Sequence, residues 1–220
     1  MKGEGRDTKL YKVIAFFVII VVFFGIIFSN IEFTQAYVDD NVIVDGWIEN
    51  PDKRENSDQM LGLEKWGSFT YEQNGFYPAY LTVTTIKTLV MMNEKDLQKQ
   101  TQDSIKQAEE NNIVIDADSM ISGKRVIKNS KHETSYIIYD GIKNSTDPPE
   151  KIKIIGEVWN CGTSGTSVIC IGVAQITNYA DGDTEVNTSI WEKIVSDKEG
   201  TFGMEGFQGT DGLIYNVVCH

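Results

Sequence analysis

Hydrophobic and polar positions along this chain fall into three regimes. From Val13 to Phe28 the residues are apolar without a single charge, broken only by the small Gly25, and the run extends through Ser29 and Asn30 to Ile31. That is near the roughly 20 residues a helix needs to span a bilayer. Beyond about residue 40 the apolar positions come in short runs rich in Val, Ile, Thr and Tyr, the signature of β-strands. One stretch differs: Leu97, Thr101, Ile105 and Ala108 recur at helical spacing within an otherwise charged sequence, which predicts an amphipathic helix from an Asn93 cap to about Asn111.

Strands are predicted over 41–48, 66–71, 80–91, 113–115, 123–128, 134–139, 151–161 and 167–176, with a last one over 213–219. The stretch 49–59 has almost no apolar residue and reads as an exposed loop. If 151–161 and 167–176 form a hairpin turning at Ser164–Ser167, Cys161 faces Cys170 and Trp159 faces Gly172. One face then carries Ile154, Val158, Ile169, Ile171 and Val173 as core, and the other is mixed and partly covered. Ser189-Ile190-Trp191-Glu192 matches a capping box, in which Glu192 reaches back to the Ser189 cap. Strands in runs with helices set apart predict an α+β fold, an antiparallel β-sheet flanked by helices and preceded by one N-terminal transmembrane helix. The predicted organisation is a cytoplasmic N-terminus over 1–12, an anchor over 13–31, a stalk with a short strand and polar linker over 32–60, and a globular domain over 61–220.

Strands, a long helix, a meander, a short helix and a last strand form an order that resembles the PsbP-like superfamily, extrinsic proteins with an antiparallel sheet between helices, over about residues 66–198. The resemblance implies an accessory or binding role rather than catalysis.

Charge places the segments. Lys2, Arg6, Lys9 and Lys12 precede the apolar run, and after it no basic residue occurs until Lys53. The positive-inside rule then puts the N-terminus in the cytoplasm and the C-terminal domain outside the cell membrane as a single-pass protein. The alternative, a signal peptide cleaved after Ala36, is weaker because the run exceeds the usual ~7–15 apolar residues of such segments. The net charge is −12, and the first thirty residues are basic, so the domain itself is more acidic still. Such a surface repels a phosphate backbone, which excludes nucleic acid as a partner. It leaves cations and cell-surface proteins.

Candidate chemistry is sparse. Cys161, Cys170 and Cys219 are disulfide candidates in an exterior domain, with Cys161–Cys170 favoured by the hairpin register. Neither CxxC nor HxxxH spacing occurs around them, and His132 and His220 are the only histidines, so no metal site is predicted from spacing. Cys219 and His220, as neighbours in a strand, should point to opposite faces. Asp181, Asp183 and Glu185 partly match a calcium loop, but Val186 stands where that loop needs glycine. The glycine- and serine-rich stretch 161–167 lacks a lysine and a following helix, so it is a turn and not a phosphate loop. Asn144 and Asn187 head N-glycosylation sequons. No catalytic motif and no cofactor motif is present. The expected function is a membrane-anchored extracytoplasmic accessory or binding module. A structural component of a cell-surface assembly is the alternative, and a carboxylate-dependent hydrolase is a more distant one.

Overall fold

A computed structural model describes residues 33–59, 64–107, 112–127, 131–144, 147–179, 182–183, 185–196 and 212–220. Its frame is one antiparallel sheet of eight strands: β2 (Trp47–Glu49), β3 (Glu55–Gln59), β4 (Glu64–Gln73), β5 (Ala79–Thr88), β6 (Ile113–Val126), β7 (Glu133–Lys143), β8 (Glu150–Cys161) and β9 (Thr166–Gln175). The order is β2-β4-β5-β9-β8-β7-β6, and β3 pairs with β4 beside β2. A separate two-residue pairing joins β1 (Tyr37–Val38) to β10 (Val217–Val218). Among the described residues the α-helices are α1 (Glu94–Lys106) and α2 (Ser189–Val195).

The expected fold class is corrected. The chain is predominantly antiparallel β-sheet, not α+β. The predicted segments 113–115 and 123–128 are parts of one 14-residue strand, β6, and the polar stretch read as a loop contains β3. No helix among the described residues is long and apolar enough to cross a membrane; the predicted anchor over 13–31 lies outside the described residues. Residues of the expected stalk join the sheet through β2 and β3. The expected strand over 41–48 is interrupted because Asp45 and Gly46 both adopt positive φ, 58° and 83°, the conformation a tight Asp-Gly turn requires. Over 213–219, a single 3-10 turn at Ile214–Asn216 replaces most of the expected strand.

The β8–β9 hairpin has a different register from the expected one. Gly165, at φ 65°, donates its N–H to the Cys161 carbonyl at 2.9 Å. This closes the turn early, so that Cys161 faces Thr166, Trp159 faces Val168 and Glu157 faces Cys170. The shift preserves which residues share a face but separates Cys161 from Cys170 along the sheet.

Both faces of the hairpin are covered. On the Ile154, Val158 and Ile169 face lies α1, whose buried residues are Leu97, Thr101 and Ile105. Asn93 caps this helix by accepting the Asp96 N–H at 2.9 Å. The face expected to be mixed carries the larger core. There Ile155, Trp159 and Cys170 pack with Ile194 of α2, Leu213, Ile214 and Val217. The cap of α2 is Thr188 rather than Ser189, and the Thr188 hydroxyl donates to the Glu192 carboxylate at 2.8 Å.

Each helix sits against a glycine. A Cβ on Gly156 would lie 2.1 Å from Thr101 Cγ2 of α1, and one on Gly172 would lie 2.7 Å from Ile194 Cγ2 of α2. The helices therefore approach the sheet at backbone distance, on opposite faces of neighbouring strands. Gly156→Ala should cost about 1–3 kcal/mol through forced displacement of α1. Gly162→Ala, with nothing near its Cβ position, should stay within about 0.5 kcal/mol of the parent. Urea denaturation midpoints measure both.

Candidate functional site

β6 ends the sheet: no described element pairs with its outer edge. A strand of this length presents a row of backbone N–H and C=O groups open to pairing. Its apolar side chains Val114, Met120, Ile121 and Val126 are exposed, Ile121 to 58%. Its register against β7 shifts between Asp116 and Ile121, a bulge fixed by the Ser119 hydroxyl, which donates to the Asp116 carbonyl and accepts the Asp140 N–H at 2.8 Å. Beside the bulge opens a cleft of about 540 Å³, lined among others by Val114, Ile115, Ile142, Ile152, Ile176 and Val186. Asp116 and Asp140 border it, the latter paired with Lys153 at 2.6 Å.

The edge is anchored from within. Glu157, fully buried on β8, accepts two hydrogen bonds from the Arg125 guanidinium of β6, Nε to Oε1 at 2.8 Å and an Nη to Oε2 at 2.6 Å. The Thr134 hydroxyl of β7 donates to the same carboxylate at 2.5 Å, and a further Arg125 N–H donates to the Val195 carbonyl of α2. This planar two-point pairing suits a guanidinium and a carboxylate taken out of water together. Burial, with the Glu157 carboxylate beside it, pushes the Cys170 thiol well above the usual cysteine range.

Of the residues singled out in the sequence, His132, Cys161, Cys219 and His220 come together, and the others lie apart. All three cysteines are buried and no disulfide joins them. Cys170 lies under the ion pair, whereas Cys161 meets the segment carrying Cys219 and His220. Cys219 and His220 converge instead of pointing apart, with Cys219 Sγ 3.6 Å from His220 Nδ1, because both lie beyond the end of β10. For Cys161, burial alone would raise the thiol. Hydrogen bonding with Cys219, Ser164 and His220 outweighs burial and brings it down to about 6. His132, in the turn between β6 and β7, joins the same neighbourhood.

Part of the acidic loop is described. Asp183 accepts the Glu185 N–H at 2.9 Å and the Tyr77 hydroxyl, and Asp181 lies outside the described residues. Asn144 is exposed and Asn187 half-buried, its side-chain oxygen accepting from the Ser189 N–H and hydroxyl. The sheet edge, the cleft and Arg125–Glu157 were not singled out in the sequence.

No protein-family model matches the chain, and comparison with curated proteins and with solved structures finds no similar protein. The resemblance in element order to the PsbP-like superfamily therefore has no matching sequence or structure behind it.

Glu157→Gln would leave Arg125 charged inside the core and should destabilise the fold by about 3–5 kcal/mol. The double variant Arg125→Met/Glu157→Leu, which removes both charges, should recover most of that loss. Urea unfolding of the three proteins measures it.

Proposed function

We propose that this chain is an accessory binding module that takes up an extended polypeptide segment along β6. The observation that carries the reading is the 14-residue edge strand, whose outer side has no strand partner among the described residues, beside an apolar cleft. An extended segment added to such an edge gains backbone hydrogen bonds, and its alternate side chains reach neighbouring pockets. Asp116 and Asp118 are exposed along the strand, and the chain is strongly acidic, so the segment that fits alternates apolar residues with Lys or Arg. A small molecule would use the cleft but leave the backbone row unpaired.

Membrane attachment through the apolar run 13–31, with the module outside the cell, belongs to the same proposal. Its support is composition alone: the uncharged run and the basic residues before it. An attached module of this kind holds a partner at a surface without transforming it.

Selection of peptides from a random displayed library against the purified full chain tests the reading. Selected peptides should alternate apolar and basic residues. Ile121→Lys and Val114→Lys should each weaken them by at least about tenfold, or 1.4 kcal/mol, with an unchanged melting temperature. Concentration-dependent self-association abolished by the same substitutions would assign the edge to a second copy of the chain, as in a structural assembly. Binding indifferent to both substitutions would remove β6 as the site.

A further inference from the structure

We propose that His132, Cys161, Cys219 and His220 form a tetrahedral zinc site that clamps the segment 212–220 onto the end of the sheet. The four residues come from three separate places: the turn between β6 and β7, the end of β8, and the residues following β10. One donor atom from each lies within 4.8 Å of all the others. Two sulfurs and two imidazole nitrogens are the donor set that zinc takes in closed four-coordinate sites.

The separations fit a shared ion. With zinc–sulfur bonds of about 2.3 Å and zinc–nitrogen bonds of about 2.0–2.1 Å, tetrahedral angles put sulfur and nitrogen about 3.5 Å apart. Here His220 Nδ1 is 3.5 Å from Cys161 Sγ and 3.6 Å from Cys219 Sγ. The two imidazoles meet edge to face with centroids 5.8 Å apart.

A second, independent observation points to a ligand. Nε2 of His132 is buried and has no hydrogen-bond partner. Buried polar atoms are nearly always satisfied, and one that is not calls for an ion or water. The same ring contributes one of the four donor atoms of the cluster. The charge also balances: zinc displaces the protons of Cys161 and Cys219, and two thiolates neutralise the dication, which permits the burial of both cysteines.

Two rival uses of the cluster fit less well. In a nucleophilic cysteine–histidine pair the sulfur must be reachable, whereas Cys161 is fully buried. A Cys161–Cys219 disulfide would account for the sulfurs but leave the convergence of both histidines without a reason. Four protein donors leave no open coordination position, so the site is structural and does not activate a water.

Metal titration of the full chain, purified under reducing conditions and stripped with a chelator, tests the assignment. Cobalt(II) should bind as a single ion per chain with the intense visible absorption of tetrahedral coordination and a thiolate-to-cobalt charge-transfer band. Zinc should displace it and raise the melting temperature. Cys219→Ser and His132→Asn should each weaken cobalt binding by at least about tenfold, and Cys219→Ser should also diminish the charge-transfer band. Cys170→Ala should change neither. Should Cys219→Ser fail to fold, His132→Asn against Cys170→Ala still decides the matter. Weak octahedral absorption only, a spectrum unaffected by Cys219→Ser or His132→Asn, or a Cys161–Cys219 disulfide that persists in zinc-loaded native protein would overturn the proposal.

Discussion

A carboxylate buried at the middle of a sheet must be answered by a cation, and the answer here organises much of the molecule. Arg125 reaches Glu157 from the edge strand across β7, and Thr134 of β7 completes the carboxylate's hydrogen bonds. The same guanidinium holds the last carbonyl of α2 through Val195. Breaking the pair from either side strands a charge in a medium that solvates it poorly. Edge strand, central strand and covering helix are therefore fixed to one another by a contact that is expensive to loosen.

That anchorage is what makes a bare edge usable. A strand with one free side loses order easily unless something inside the sheet holds it. With Arg125 tied down, β6 presents its outer backbone in a constant geometry, and its bulge, pinned by Ser119, turns side chains beside the cleft. The cysteine–histidine cluster lies toward the same end of β6 as Arg125, at the turn into β7. The two proposals concern different regions: one the outer side of β6 and the cleft near its bulge, the other the closed end beneath the segment 212–220.

Much of the strand content was legible in the sequence because it depends on local residue choice. The runs 66–71, 80–91, 134–139, 151–161 and 167–176 all fall largely within strands, and Leu97, Thr101 and Ile105 mark the buried face of α1. Legibility ended where distant residues decide. Gly165 moved the hairpin register by adopting a backbone conformation open to it at little cost, and the polar β3 is a strand because β4 offers it hydrogen bonds, not because of its own composition. The partnership of Arg125 with Glu157 spans 32 positions, and no periodicity signals it. The approach of His132 to Cys161 and Cys219 leaves no spacing motif for the same reason.

The pairing of β1 with β10 joins segments from nearly opposite ends of the described chain. Closing so long a loop is entropically costly, and contacts of this range tend to form after the local hairpins that bring them together. By that reasoning the contacts of the segment 212–220 form late in assembly. Interactions made only after the folding transition state leave the folding rate almost untouched and slow unfolding instead. A clamp on that segment would therefore act on the lifetime of the folded molecule more than on the speed at which it is reached.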